Sequence, residues 1–371
     1  MILRKFSVKG FRGFKKQLVF DLTKAHDYEF NKHLIHNGII SSGIIYGENG
    51  SGKSCLGFAL FDIVGMLTDY ELAAPMLNEA IFLNADSAIK YATFEYEFLF
   101  DNSIVTYSYK KSSPNKIGSE TIIVDGQNIL KRTNNGKVTF DKTSSLIFPT
   151  LPSNMSAVRY IYRNTPLPEN HPIAEIVMFV EKMLWFRSLK ERGYCGYRRG
   201  NTDLVEAVYE MGKVDEFQKF LKEVAGINMK LEITQISTQG TKILNIKYGK
   251  RKINFIDAAS TGTQELLLLF YWITAALNDV SFLYIDEFDA FYHFELAAKI
   301  VELIAKRPKN SKSQVFFTSH NTYLASNEIM RPDCYFILSD GQIMSFADST
   351  NRELREGHNL EKLFRSGEFS V

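Results

Sequence analysis

The chain has 371 residues, of which 45% are hydrophobic and 23% charged, with a formal net charge of +2. That composition excludes disordered, collagen-like and low-complexity classes, and the length exceeds the roughly 250–300 residues at which single cores stop growing. A near-neutral balance neither demands nor excludes a nucleic-acid partner, because binding depends on where charge clusters.

The opening "MILRKFSVKGFRGF" lacks the long apolar run of a secretory signal, and no later run reaches the ~18 residues of a membrane span. A cytoplasmic protein with no membrane partner is expected. "ILRKFSVKGF" alternates as a strand does, and "QLVFDL" follows as its antiparallel partner. Arg4, Lys5, Lys9, Arg12, Lys15 and Lys16 crowd this start with no acid among them, which reads either as a solvated face or as a nucleic-acid patch.

"GIIYG" is a short apolar strand, and "KSCLGFALFDIVGMLTDYEL" shows helical spacing. Between them, Gly47-Glu48-Asn49-Gly50-Ser51-Gly52-Lys53-Ser54 satisfies G-x-x-x-x-G-K-[ST] in the strand–loop–helix context the motif requires. Glycines let successive backbone N–H groups turn around an anion, and the helix that follows adds its own free N–H groups and positive dipole end. Lys53 is expected on the β- and γ-phosphates and the Ser54 hydroxyl on Mg²⁺.

From Tyr91 to Ile147, alternating aromatic and β-branched residues with turn signals at "DN", "SSPNK", "DG" and "NNG" indicate antiparallel strands. The N-terminal third then reads as a mixed sheet edged by hairpins. After the proline-bearing "RNTPLPENHP", the segments "IAEIVMFVEKMLWFRSLKER" and "DLVEAVYEMGKVDEFQKFLKEVAG" read as two amphipathic helices too short for a coiled-coil arm. The first carries a second basic cluster in Arg187, Lys190, Arg192, Arg198 and Arg199 at and beyond its end. Strands resume at "KLEITQIST" and "KILNIKYG". The order then runs helix "TQELLLLFYWITAAL", strand "SFLYID", helix "FELAAKIVELIAK", strand "QVFFTS", helix "TYLASNEI" and strand "CYFIL", which argues for a parallel sheet with helices against it.

Three further clusters lie along that C-terminal part. "FLYIDEFDAF" delivers Asp286 and Glu287 to the end of a buried strand, where ligands bind in parallel α/β sheets; Asp286 would hold Mg²⁺ through water and Glu287 would polarise an attacking water. His320 follows the next strand, placed to contact a γ-phosphate or orient that water, though a histidine after a strand also serves structure alone. Ser260, Thr261, Gly262 and Thr263 open a long helix, offering hydroxyls and N–H groups to an anion or simply capping the helix. Cys55, Cys195 and Cys334 lie far apart without metal or disulfide spacing.

These motifs in this order resemble the ABC-type ATPase heads of the RecF, structural-maintenance-of-chromosomes and OLD-like group. "FSVKGFRGFKKQLVFDL" is similar to that group's first hairpin, and "HNLEKLFRSGEFSV" to the tail of AAA-type ATP-binding proteins of prokaryotic anti-phage and abortive-infection systems. The resemblance covers roughly 1–150 and 235–371 and implies a P-loop α/β fold; with the antiparallel β subdomain and the compact helical insertion read from the residues, the chain divides into an N-terminal lobe at 1–150, the insertion at 151–232 and a C-terminal lobe at 233–371. It makes Lys53 and Ser54 the Walker A pair, Asp286 and Glu287 the Walker B pair, Asp289 the D-loop aspartate and His320 the switch histidine. Ser260-Thr261-Gly262-Thr263-Gln264 stands where Leu-Ser-Gly-Gly-Gln is usual, leaving Ser260 or Thr261 as the nucleotide contact.

The implied cofactors are ATP and Mg²⁺. The implied assembly is a homodimer, or a higher homo-oligomer, with composite ATP sites. No acidic cluster of a nuclease stands out after His320, so the chain is expected to act in prokaryotic anti-phage defence as a sensor of phage or damaged nucleic acid that regulates a separate nuclease or toxin-like effector, with DNA or RNA as a further partner. The alternatives are a RecF-like DNA-binding clamp for repair and, below it, a transporter ATPase subunit, which the long strand-rich stretch and the altered signature disfavour.

Overall fold

The computed structural model describes residues 1–70, 76–140, 149–187, 193–196, 204–235, 242–275, 279–306 and 313–369. Two seven-stranded sheets dominate them. The first is antiparallel throughout, in the spatial order Val138–Phe140, Gln127–Arg132, Lys116–Val124, Ser103–Ser113, Ala92–Phe100, Ile2–Lys9 and Leu18–Asp21. Alternation is its cause: along Ala92–Phe100 the residues Ala92, Phe94, Tyr96 and Phe98 are buried and their neighbours are not.

The second sheet runs Gly193–Gly196, Met183–Arg187, Phe282–Asp286, Gln314–Thr318, Ser42–Tyr46, Tyr335–Ser339 and Gln342–Ser345. Its inner five strands are parallel and its two edges antiparallel. Every residue of Ser42–Tyr46, Phe282–Asp286 and Gln314–Thr318 is buried, as expected of strands covered on both faces. A smaller sheet of Leu231–Gln235, Lys242–Tyr248 and Arg251–Asn254 packs beside the Leu204–Glu210 helix.

Gln314 ties the two large sheets together. Its amide oxygen accepts from the Leu3 N–H at 2.8 Å, and its amide nitrogen donates to the Leu3 carbonyl at 2.9 Å and to Ile40 at 3.3 Å. The antiparallel sheet is tied to the helix Asp62–Leu67 by the buried pair between Lys111 and Asp62, at 2.8 and 2.9 Å, which Tyr109 joins by donating to Asp62 at 2.9 Å.

Several sequence expectations change. The N-terminal third gives the mixed sheet the strand Ser42–Tyr46; its longer strands form the separate antiparallel sheet. The helix expected through Arg192 stops at Glu181, and Met183–Arg187 is a strand parallel to Phe282–Asp286. Met183, Leu184 and Trp185 are buried in succession, which no single face of a surface helix can do. The next helix breaks at Gly212, whose φ of +66° is left-handed, into Leu204–Glu210 and Val214–Ala225. The helix after the glycine turn divides at Phe61 into Lys53–Leu60 and Asp62–Leu67, and "TYLASNEI" forms only the 3₁₀ turn Thr322–Leu324. Of the second basic cluster, Lys190, Arg192, Arg198 and Arg199 lie outside the described residues. In the first, Arg4 pairs with Glu97 and Lys5 with Asp21, so part of that charge is neutralised by the antiparallel sheet.

Candidate functional site

The parallel register brings the C-terminal ends of Ser42–Tyr46, Gln314–Thr318 and Phe282–Asp286 side by side, with Thr318 opposite Ile45 and Phe317 opposite Ile285. The Gly47–Gly52 loop leaves the first of these ends and the Lys53–Leu60 helix begins directly after it. Gly50 and Gly52 take φ values of +84° and +104°. At Gly47 a Cβ would stand 2.4 Å from Ser51 Oγ and 2.6 Å from the Leu338 carbonyl, so only glycine fits.

Lys53 is buried and folds back over the loop, its ammonium donating to the carbonyls of Gly47 at 2.7 Å and Glu48 at 3.1 Å. Burial lowers its pKa, while Asp286, Glu287 and Asp289 nearby oppose the shift. The helix start is pinned from below, because the Tyr284 hydroxyl donates to the Lys53 carbonyl at 2.9 Å. One residue on, the Ser54 hydroxyl donates to Asp286 Oδ2 at 2.8 Å. The glycine loop and the acidic strand, 232 residues apart in sequence, therefore meet at one carboxylate.

The other oxygen of Asp286 accepts from Thr318 Oγ1 at 2.7 Å, and the same Thr318 oxygen accepts from the Glu287 backbone N–H at 2.7 Å. Thr318 was not among the residues singled out from sequence. Its signal was faint: a threonine closing the apolar run "QVFFT" beside the histidine that drew attention. Glu287 itself sits at φ 52° and ψ 44°, a left-handed conformation that a non-glycine residue holds only when its surroundings impose it.

His320 is exposed at the rim, close enough to Lys53 and to the three carboxylates for their charges to act on it. Partial desolvation, then Lys53, lower its pKa below 6.5, and the carboxylates only partly offset them, which keeps the imidazole neutral near pH 7. Asp289 lies in the 3₁₀ turn Phe288–Phe291 that follows Glu287. A cleft of about 680 Å³ opens here, bounded by Asn49, Ser51, His320, Asp340 and the aromatic rings of Phe364 and Phe369.

Ser260, Thr261 and Gly262 are placed differently. Ser260 and Thr261 are exposed, and Ser260 Oγ lies 2.9 Å from Thr263 Oγ1 and accepts from the Thr263 N–H at 3.3 Å, an ordinary helix cap. The hydrogen bonds of Ser260 stay within its own helix start, and Gln264 holds the preceding turn through the carbonyls of Ile256 and Ala259. Ser260 and Thr261 face solvent, Gly262 is half-buried and Thr263 is buried.

The residues present fit a phosphate chain and a hard divalent cation. The loop glycines leave room for an anion against the backbone, Ser51 Oγ is buried with no hydrogen-bond partner, and the Ser54 hydroxyl and Asp286 carboxylate supply the oxygen donors Mg²⁺ prefers. No helix among the described residues is long and apolar enough to cross a membrane.

A protein-family model described as "AAA domain, putative AbiEii toxin, Type IV TA system" matches residues 44–326. No curated protein matches the chain. Among solved structures, an SMC head domain from Thermotoga maritima is similar at 15% identity and a TM-score of 0.46, over 93% of this chain and 98% of that one. An SMC head bound to the C-winged helix domain of ScpA gives 15% and 0.47 over 93% and 97%. An Smc head with an extended coiled coil, bound to the C-terminal domain of ScpA derived from Pyrococcus furiosus, gives 14% and 0.44 over 99% and 98%.

Proposed function

This chain belongs to the family described as "AAA domain, putative AbiEii toxin, Type IV TA system" and carries its ATPase domain, and on that premise we propose that it is an ABC-type ATPase of the RecF, SMC and OLD-like group. It closes into a homodimer around ATP and so regulates a separate nuclease or toxin-like effector in prokaryotic anti-phage defence. The observation that carries the reading is the continuous chain of contacts from Ser54 through Asp286 and Thr318 to the Glu287 backbone. It holds Ser54, Asp286 and the Glu287 backbone together beside the glycine loop, which supports reading them as a metal-binding pair and a general base.

In this reading the Gly47–Gly52 amides and Lys53 hold the phosphates, and Ser54 and Asp286 hold Mg²⁺. The bound cation supplies Lewis-acid polarisation of the phosphate oxygens. Glu287, held in a left-handed backbone conformation, would accept a proton from water, and neutral His320 at the rim would position that water or the γ-phosphate. Ser260 and Thr261, exposed at the start of their helix, would be presented with half-buried Gly262 to the ATP of a second copy, while Asp289 stays close to Lys53 and His320 of its own chain. Loss of the γ-phosphate would release that contact and open the dimer.

The test is Glu287→Gln with ATP and Mg²⁺, followed by light scattering. A dimer that persists with ATP and dissociates without it is expected. Monomers at saturating ATP would overturn the dimer reading.

A further inference from the structure

A second cavity, of about 550 Å³, lies away from the glycine loop, between the Asp62–Leu67 helix, the turn joining Ser103–Ser113 to Lys116–Val124, and the Ala157–Asn164 helix. Its volume falls within the range of small-molecule sites. Its chemistry is divided. The floor is apolar, with Met66, Pro114 and Ile117 buried, whereas the rim carries Arg159, Arg163, Asn115 and Asn154.

The two arginines stand one helical turn apart and so project from the same face. Both reach the same group: Arg159 and Arg163 each pair with the carboxylate of Asp69, an exposed residue just beyond the Asp62–Leu67 helix. Two guanidiniums converging on one oxyanion is the arrangement that recognises phosphate, and a lone carboxylate leaves a net positive charge. The wall that carries them is rigid. Ser156, which caps their helix by accepting from the Arg159 N–H, donates at 2.7 Å to Glu120, a fully buried carboxylate also held by the Ala157 N–H and the Tyr107 hydroxyl.

Side-chain amides at Asn115 and Asn154 offer donors and acceptors together, the pattern that pairs with the edge of a nucleobase, and Tyr160 adds an aromatic residue to the lining. We propose that this cavity binds a nucleoside monophosphate group, free or at the end of a nucleic-acid strand, with Arg159 and Arg163 taking its phosphate in place of Asp69. The apolar floor receives the base and the asparagines read its edge. Gly65 and Met66 in the lining belong to the helix that follows directly on the one starting at Lys53, so the ligand would rest against the support of the ATPase loop.

The experiment uses the full chain carrying Lys53→Ala, which weakens phosphate binding at the glycine loop, with calorimetric titration of AMP, GMP, inorganic phosphate and a 5′-phosphorylated oligothymidylate. Saturable binding of a mononucleotide or of the oligonucleotide is expected, the first identifying a free nucleotide and the second alone a strand end. Adding Arg159→Ala with Arg163→Ala should weaken it at least ~10-fold. Asp69→Asn, which removes the competing carboxylate and leaves both arginines, should tighten it several-fold. Absence of binding by every nucleotide probe, inorganic phosphate binding as tightly as GMP, or affinity unchanged in both the arginine and the Asp69 variants would overturn the proposal.

Discussion

Thr318 donates to Asp286 Oδ1 at 2.7 Å and accepts the Glu287 backbone N–H at the same distance, so one hydroxyl orients both acidic residues of the candidate site. Neither contact requires a ligand. Thr318→Val keeps the buried shape and removes both bonds, and it should lower the ATP turnover number about 10–100-fold, the usual cost of losing a group that orients a metal ligand. Thr318→Ser should keep most of the rate. Phosphate release at saturating ATP checks the pair; equal turnover by the valine variant and the parent would refute the orienting role.

Gly47 has no space for a side chain, with Ser51 Oγ and the Leu338 carbonyl 2.4 and 2.6 Å from where a Cβ would lie. Gly47→Ala must displace the loop and should abolish measurable ATP binding. Lys53→Ala should weaken ATP binding strongly without a steric clash in the loop, because it removes the cation that bridges the Gly47 and Glu48 carbonyls. Fluorescent ATP-analogue titration reads both, and circular dichroism separates a moved loop from a lost fold.

Partial desolvation and Lys53 hold the His320 pKa below 6.5. Between that lowered value and 6.5 the unfolded chain binds more protons than the folded one, so the contribution of His320 to stability rises with pH through this window and is lost as pH falls through it. ATP hydrolysis should lose no rate to His320 protonation from pH 7 to 8 and should fall only below the shifted value. An NMR titration of the imidazole checks the direction. A midpoint above 6.5 would contradict the dominance of burial and Lys53 over the three carboxylates.

Asp62 opens the Asp62–Leu67 helix and meets Lys111 of the antiparallel sheet, both side chains almost fully buried. Lys111→Met leaves a buried carboxylate whose remaining hydrogen-bond donor among the described residues is the Tyr109 hydroxyl, and should cost about 3–5 kcal/mol in denaturant unfolding. Adding Asp62→Asn should recover a large part of that loss, because the uncompensated charge is gone. A double variant no more stable than the single one would show that the pair's geometry, not the desolvated charge, carries the effect.

The glycine loop was legible in the sequence because its geometry is local: left-handed positions at Gly50 and Gly52, a lysine and serine at fixed offsets, and an apolar strand before them are properties of one short stretch. Asp286 and Glu287 were legible for the same reason, as polar residues ending a run of buried ones. Met183–Arg187 was not. A short apolar run reads alike as buried strand and buried helix, and only pairing with Phe282–Asp286 decides between them. Thr318 escaped because its value lies in a carboxylate 32 residues earlier.

By itself, the sequence determined which groups could meet a phosphate, since backbone permissiveness and side-chain chemistry are written residue by residue. Tertiary structure alone decided which of them do meet. Placing Gln314–Thr318 between the loop strand and the acidic strand puts Thr318 and Ser54 each within hydrogen-bond reach of Asp286. The same folding turns Ser260 and Thr261 out to solvent, and it brings Arg159 and Arg163 onto Asp69, ninety-odd residues earlier in the chain. Long-range strand order carries no local periodicity, and so nothing in a window of sequence records it.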